Sequence, residues 1–155
     1  MKIQNLIQPE NVYLDLEAVD AESGMAAVAQ RLGPPLGLKP HAVVDGLMER
    51  ERLGSTSVGN RFAIPHCKIQ GIHQIVVALA RFREAIDFGP ESGGEQVALT
   101  FVVLSPPDQP AAHLQVLSQI ARVLKRKELR SELIEAADAE AVIAAIRRTA
   151  ESEGL

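Results

Sequence analysis

Apolar residues in the first third of the chain recur at helical spacing. One such stripe predicts a helix over residues 22–32, with Asp20 as its N-cap and Gly33-Pro34-Pro35 as its end. Its core-facing residues are Met25, Val28, Ala29 and Leu32. Pro40 suits the first turn of a second helix, which is predicted from His41 to Arg52. Its core-facing residues are Val44, Leu47 and Met48.

The middle of the chain changes to short apolar runs, which are typical of strands. Residues 62–64 predict a short strand, and residues 75–82 predict a longer one. The run from Val97 to Leu104 is the strongest strand signal and is predicted to be central, with both faces covered. Residues 87–94 form a turn-rich loop between them. Residues 1–19 carry only short apolar pieces and receive no assignment.

The last third returns to helical patterns. A helix is predicted over residues 110–124, and two shorter helices over residues 127–136 and 139–149 are followed by a frayed end at about 150–155. The core-facing residues expected on the first of these are Leu114, Leu117, Ile120, Ala121 and Leu124. Helices before, between and after strands indicate a single layered α/β domain over residues 1–155. Too few strands can be recognised to derive their order.

Composition narrows the class of protein further. With 46% hydrophobic and 23% charged residues, the chain is typical of a globular protein. A net charge of −4 gives no electrostatic reason to expect nucleic-acid binding. One cysteine suits a reducing compartment, and neither a signal-peptide pattern nor a membrane-length apolar run is present. We therefore expect a cytoplasmic protein without membrane insertion.

The stretch from Arg50 to Cys67 contains the strongest candidate chemistry. A Gly/Ser/Thr/Asn turn over residues 54–60 leads into the short strand, and Pro65 and His66 follow it. Pro65 restricts its own φ and favours an extended residue before it, so His66 is held on a stiff support. A neutral imidazole is nucleophilic near neutral pH, although a lone histidine after a strand is more often structural.

The sequence of this stretch decides between those two interpretations. The runs Leu53-Gly54-Ser55-Thr56-Ser57-Val58-Gly59-Asn60 and Ala63-Ile64-Pro65-His66-Cys67 resemble the phosphorylation-site signature of the fructose/mannitol-type enzyme IIA domains. These domains belong to the bacterial phosphoenolpyruvate-dependent phosphotransferase system, and the nitrogen-regulatory branch is the most similar. The resemblance implies an α/β/α sandwich with a mixed central sheet and a phosphoacceptor role for His66.

The same resemblance implies roles for other residues. Arg50 stands where these domains carry an arginine at the active histidine, and a guanidinium suits phosphate oxygens. His113, in the run Pro107 to Ser118, matches a second active-site histidine. The expected phosphate or loop contacts are Ser55, Thr56 and Asn60. The expected apolar and charged contacts for a docked partner are Val58, Arg61, Phe62 and Ile64.

Other chemistries receive little support from the sequence. His66 and Cys67 are adjacent on a strand and point to opposite faces, so a thiolate–imidazole pair is disfavoured and Cys67 is expected to be a buried thiol. Neither a nucleophile-elbow pattern nor a nucleotide-binding P-loop occurs. His41 and His73 are expected to face solvent, and the scattered histidines favour neither a metal site nor any other cofactor.

Three hypotheses of function remain open at this point. The first is a phosphocarrier that accepts phosphate from an HPr-like carrier and regulates a partner protein according to its phosphorylation state. The second is a transport component that relays phosphate to a IIB domain for fructose/mannitol-type sugar uptake. The third is an interaction domain that works without phosphorylation.

Overall fold

A computed structural model of the chain describes every residue from Met1 to Leu155. The strands are β1 (Val12–Leu16), β2 (Ser57–Gly59), β3 (Phe62–Ala63), β4 (His66–Lys68), β5 (Val76–Asp87) and β6 (Gln96–Ser105). The helices are α1 (Ala21–Leu32), α2 (Pro40–Arg52), α3 (Pro110–Val123), α4 (Lys127–Glu135) and α5 (Ala139–Ser152). No helix combines the length and the hydropathy needed to cross a bilayer.

The six strands form one mixed sheet around β6. The strand order is β1-β5-β6-β3-β2, and β4 lies beside the far half of β6. Strand β5 pairs antiparallel with β6, whereas β3 and β4 pair parallel with it. Nine of the ten residues of β6 are buried, because helices cover both of its faces. The predicted layered α/β architecture and the central position of this strand are confirmed.

Two apolar clusters fill the space between the sheet and the helices. Helices α1 and α2 pack on one face, and α3, α4 and α5 pack on the other. The side chain of Asp20 accepts the amide N–H of Ser23, which confirms it as the N-cap of α1. Gly24 lets α1 approach strand β5 closely, since a Cβ at this position would lie 2.9 Å from Cδ1 of Ile86.

Some predicted strands are placed differently. The unassigned N-terminal region contains β1, which pairs parallel with β5, and β5 continues to Asp87 past an irregularity between Arg81 and Ile86. The predicted strand over residues 62–64 ends at Ala63. Pro65 has no N–H for the ladder, so pairing with β6 stops and resumes at β4. His66 therefore begins a strand instead of following the end of one.

Two helices bury a different face from the one predicted. In α3 the buried residues are His113, Val116, Ile120 and Val123. Leu114, which was expected in the core, is 66% exposed. In α2 the buried residues are Val43, Leu47 and Glu51, while Val44 and Met48 are only partly buried. Both shifts arise because a polar side chain, His113 or Glu51, occupies an inward position.

The C-terminal end is better ordered than the sequence suggests. Helix α5 continues three residues beyond the predicted Thr149, to Ser152. The amide N–H of Leu155 donates to the Ala150 carbonyl at 2.9 Å, and the Leu155 carbonyl accepts Nε2 of Gln4 at 3.1 Å. These contacts join the two ends of the chain beside α5.

Candidate active site

The backbone on both sides of His66 is held by hydrogen bonds. The Ile64 amide donates to the Thr56 carbonyl at 3.0 Å, and the Pro65 carbonyl accepts the Val103 amide at 2.9 Å. His66 then pairs with Val103 across β4 and β6. Neighbours in a parallel register project to the same face, so His66 lies on the face of the sheet that α3 covers. Cys67 points to the opposite face.

The ring of His66 has a defined arrangement of protons. Its Nδ1 lies 2.7 Å from the carbonyl oxygen of Ile64. A carbonyl oxygen only accepts, so Nδ1 carries the proton and Nε2 carries the lone pair. Burial lowers the pKa of His66, and the positive charge of Arg50 lowers it further, against the opposing effect of the Ile64 bond. The ring is therefore neutral near neutral pH, with a nucleophilic Nε2.

His113 lies next to His66. It is in the first turn of α3, and the two ring centroids are 5.4 Å apart with 56° between the ring planes. The Nδ1 atom of His113 is 2.5 Å from Oγ of the buried Ser105. Burial, then the neighbouring His66 and Lys68, lowers the pKa of His113 to about 4. The sequence prediction that these two histidines share one site agrees with this geometry.

Arg50 reaches the same place from the other side. It stands in the last turn of α2, and one guanidinium N–H donates to the carbonyl of Gly54 at 2.8 Å. Helix α2 approaches β4 closely at Gly46, where a Cβ would lie only 3.0 Å from Sγ of Cys67. One helical turn later, this approach places Arg50 beside His66. The other guanidinium N–H groups have no partner in the chain and can bind an anion.

An open cleft of about 410 Å³ joins these groups, and we call it the histidine cleft. Besides Arg50, His66 and His113, its lining includes Lys68, Leu53 and Leu114. Leu53 is 82% exposed at its rim. Sequence reasoning missed all three of these residues. The two-residue period of strand β4 places Lys68 on the same face as His66, and that signal alone could have found it.

The polar turn before the strand serves mainly as a support. The two carboxylate oxygens of the buried Glu51 accept the amide N–H of Thr56 at 2.9 Å and its hydroxyl at 2.6 Å. The Ser57 amide donates to Oγ of Ser55 at 3.0 Å. Thr56 is thus buried against the end of α2, outside the histidine cleft. The prediction that it contacts the loop agrees with this position, but a phosphate contact through its side chain does not.

The β2–β3 hairpin lies against a second cleft, of about 430 Å³, which we call the hairpin cleft. Its lining residues are Val58, Gly59, Asn60, Phe62, Ala121, Leu124, Lys125 and Arg130. Asn60 and Arg61 both have a positive φ, 55° and 72°, as the tight turn requires. The structure therefore does not bring Val58 and Asn60 to the lining of the histidine cleft.

Two predicted partner contacts are wrong. Phe62 is 1% exposed and Ile64 is 5% exposed, and both belong to the core cluster under α3. Their apolar character comes from packing beneath β3 and not from docking. Val58 and Arg61 remain exposed on the hairpin. The exposed apolar groups beside the histidines are instead Leu53 and Leu114.

The predictions for Cys67, His41 and His73 agree with the positions of these residues. Cys67 is buried, and burial raises the pKa of its thiol to about 11, so it is not a nucleophile near neutral pH. His41 and His73 are exposed, away from the histidine cleft. No three histidine, cysteine, aspartate or glutamate side chains converge to hold a metal ion.

Comparisons with known proteins identify the family of the chain. The family model described as "Phosphoenolpyruvate-dependent sugar phosphotransferase system, EIIA 2" matches residues 5–149. A nitrogen regulatory protein from Bradyrhizobium diazoefficiens is 33% identical over 142 residues, which is 92% of each chain. A nitrogen regulatory protein from Pseudomonas aeruginosa is 39% identical over 100 residues, or 64% of each chain.

Solved structures agree as well. The nitrogen regulatory protein IIA-Ntr from Neisseria meningitidis superposes with a TM-score of 0.85 and 32% identity, over 93% of this chain and 98% of that one. The mannitol enzyme IIA of Escherichia coli, solved in complex with phosphorylated enzyme IIB, shares the fold, with a TM-score of 0.75 and 19% identity. The superposition covers 92% of this chain and 99% of the mannitol enzyme IIA chain. The chain belongs to the EIIA 2 family of the phosphoenolpyruvate-dependent sugar phosphotransferase system.

Proposed function

We propose that the protein is a phosphocarrier whose acceptor atom is Nε2 of His66. One observation carries the proposal: Nδ1 of this ring is engaged by the Ile64 carbonyl, while Nε2 has no partner in the chain and faces a cleft that contains Arg50. The donor is the phosphohistidine of an HPr-like carrier protein. A transfer between two histidines needs neither a nucleotide nor a metal as cofactor.

The transfer exchanges one P–N bond for another. The Nε2 lone pair attacks phosphorus, the P–N bond of the carrier breaks, and its electron pair returns to the carrier's imidazole. His66 keeps its proton on Nδ1 throughout, and its ring gains positive character when the new bond forms. The Ile64 carbonyl at 2.7 Å stabilises that charge. The step balances without moving a proton when the other ring nitrogen of the carrier's phosphohistidine is protonated, because the carrier's ring then leaves as a neutral imidazole.

The neighbouring groups supply what phosphoryl transfer mainly requires, which is charge stabilisation and positioning. Arg50 is anchored to Gly54 by one N–H, so its remaining donors are held in a defined place for the phosphoryl oxygens. Lys68 adds a second positive charge on the same strand face. His113 contributes from the opposite wall of the cleft. Ser55 and Asn60 remain proposed contacts of the loop.

The surface around the histidine cleft suits a docking protein. Leu53 and Leu114 are 82% and 66% exposed on either side of it. An apolar rim around a charged centre excludes water when a partner docks, and this strengthens the contacts of Arg50 with phosphate. Val58 and Arg61 on the hairpin extend the proposed contact surface.

We further propose the regulatory form of this activity, in the cytoplasm. The supporting observation is that the relatives at 33% and 39% identity and the structure at 32% identity all carry nitrogen regulatory names. The second candidate is relay to a IIB domain. Its support is the similarity to a fructose-specific EIIABC component of Bacillus subtilis, which is 27% identical over 92% of this chain. The matched region is 22% of the length of that component.

Phosphorylation by phosphoenolpyruvate, enzyme I and an HPr-like carrier tests the acceptor. We expect one acid-labile, base-stable phosphate on the wild type, none on His66→Ala, and normal labelling of the control His41→Ala, which alters an exposed histidine. Label that persists on His66→Ala would place the acceptor elsewhere. An unlabelled wild type with several carriers would favour the interaction domain that works without phosphorylation.

A capture experiment separates the regulator from the transport component. A phosphate adds about −1.5 to −2 charges to this surface, which a desolvated interface would not tolerate. Unphosphorylated protein should bind a regulatory partner that His66→Asp binds poorly. Rapid transfer to a IIB domain, with identical captures by both forms, would instead support transport.

A further inference from the structure

Ser105 is a buried polar residue that the proposed transfer does not use. It ends strand β6, is 0% exposed, and its carbonyl accepts the amide N–H of Ile69 at 2.8 Å. Its backbone is therefore fixed, and its hydroxyl oxygen lies 2.5 Å from Nδ1 of His113. That nitrogen is the only side-chain or backbone partner of the hydroxyl.

The environment of the hydroxyl decides which atom donates. If His113 donated from Nδ1, the hydroxyl hydrogen of Ser105 would be left buried without an acceptor, which is costly. If the hydroxyl donates to Nδ1, both groups are satisfied. Burial keeps the His113 ring neutral, since its pKa is about 4. The single ring proton then resides on Nε2.

The Nε2 atom of His113 is free to use that proton. It has no partner in the chain, and it is not among the fully buried unpaired polar atoms, which are Oε1 of Gln4 and Oγ1 of Thr100. It therefore reaches the surface of the histidine cleft, which His113 lines. At His66 the arrangement is reversed, because the Ile64 carbonyl holds the proton on Nδ1 and leaves Nε2 as a lone pair.

We propose that Ser105 is a positioning residue that fixes His113 as the Nε2–H tautomer, so that His113 donates a hydrogen bond to the phosphoryl group on Nε2 of His66. The two rings, 5.4 Å apart, thus hold opposite tautomers and divide the roles of donor and nucleophile. This inference rests on the proposed phosphocarrier function.

Opposite tautomers have a clear physical advantage at this site. A lone pair on Nε2 of His113 would repel the phosphoryl oxygens, whereas an N–H attracts them. A neutral donor also forms a weaker contact than an imidazolium would. A weaker contact suits a group that must be passed on to a further acceptor.

The tautomers are measured directly by ¹⁵N NMR of histidine-labelled, unphosphorylated protein at neutral pH. We expect the proton on Nδ1 for His66 and on Nε2 for His113. In Ser105→Ala, the signals of His113 should shift towards a mixture of tautomers, and phosphoryl transfer from the carrier should slow about two- to tenfold, the equivalent of one neutral hydrogen bond. Ser105→Thr, which keeps a hydroxyl, should restore both.

Thr100→Val is the matched control, because it removes a buried hydroxyl from the same strand that has no hydrogen-bond partner. It should change neither the tautomers nor the rate. A wild-type His113 with its proton on Nδ1 would overturn the proposal even if Ser105→Ala failed to fold. So would a folded Ser105→Ala with wild-type tautomers and rate.

The two proposals fail in different ways. If the wild type accepts phosphate but His113 shows the wrong tautomer, the role of Ser105 is refuted and the phosphocarrier function stands. If the tautomers are as expected but no carrier phosphorylates the wild type, the phosphocarrier function and the hydrogen bond to phosphate are both refuted. The tautomer assignment alone then survives.

Discussion

The histidine cleft is lined by residues of α2, β4 and α3, the hairpin cleft by residues of the β2–β3 hairpin, the end of α3 and helix α4, and the two differ little in size. Their volumes are about 410 Å³ and about 430 Å³, and each is lined by four hydrophobic residues and two cationic side chains. In both, an arginine donates one N–H to a backbone carbonyl at 2.8 Å: Arg50 to Gly54 and Arg130 to Leu124. Volume and the number of cationic side chains therefore do not distinguish them.

The difference is the pair of imidazoles. In the histidine cleft, each Nδ1 is engaged by a fixed protein group, and each Nε2 remains available. No histidine lines the hairpin cleft. In our proposal, the chemistry at this site depends on Ile64 and Ser105, which hold the two Nδ1 atoms and so determine where the ring protons are.

Removal of a cation from the histidine cleft should slow phosphoryl transfer, whereas removal of one from the hairpin cleft should not. This is the largest difference between the two clefts that we expect. Arg50→Ala should slow phosphoryl transfer about ten- to a hundredfold, because a charge-assisted contact contributes about 1.5–3 kcal/mol. Lys125→Ala removes an exposed cation from the hairpin cleft and should leave the rate unchanged. Rapid-quench kinetics with the phosphorylated carrier measures both. Equal rates for Arg50→Ala and the wild type would contradict the assignment of the site.

Acid should lower the free energy of unfolding, in part because His113 in the histidine cleft has a lowered pKa. The pKa of His113 is lowered from 6.5 to about 4, so the unfolded chain binds a proton at this ring below pH 6.5 while the folded protein does not until about pH 4. The free energy of unfolding should therefore decline as pH falls through that window. His66 acts in the same direction, because its pKa is also lowered.

Two variants isolate this contribution from that of the carboxylates. His113→Gln should show a shallower decline of unfolding free energy between pH 6.5 and 4 than the wild type, in urea titrations at several pH values. His41→Gln replaces an exposed histidine and should retain the wild-type slope. A wild-type slope in His113→Gln would show that this ring is not desolvated.

The smallest effect on transfer is expected at Asn60, in the hairpin cleft. Its φ of 55° suits asparagine and glycine but strains a β-branched residue by about 1–2 kcal/mol. Asn60→Gly should leave stability and transfer close to wild type, whereas Asn60→Val should lower only the stability. Thermal unfolding and transfer kinetics distinguish the two. Slow transfer by folded Asn60→Gly would show that the amide side chain contacts the phosphoryl group.

The sequence predicted the elements that depend on local signals. Asp20 as a cap, Pro40 in a first turn and the apolar run of β6 each have one dominant local cause, and all three are confirmed. The motif around His66 also led to His113 and Arg50, which lie beside it. Strand β1 was missed because its five residues have mixed polarity and no clear local strand pattern. They form a strand because they pair with β5, which is distant in sequence.

The errors on α2 and α3 have a common origin. A stripe drawn through the leucines of α3 places Leu114 inside and His113 outside, yet the buried position belongs to the histidine because Ser105 satisfies it there. In α2, Glu51 is buried because Thr56 donates to both of its oxygens. The burial of a polar side chain can be predicted only when its hydrogen-bond partner, which can be distant in sequence, is known.

The position of the phosphate on the ring of His66 tests the central claim most directly. The protein should be phosphorylated by its carrier and examined by ³¹P–¹⁵N correlation NMR with labelled histidine. Because the Ile64 carbonyl holds Nδ1–H at 2.7 Å, we predict a single phosphoramidate on Nε2 of His66, with the proton retained on Nδ1. A phosphate on Nδ1 of His66, or on any other residue, would contradict the account.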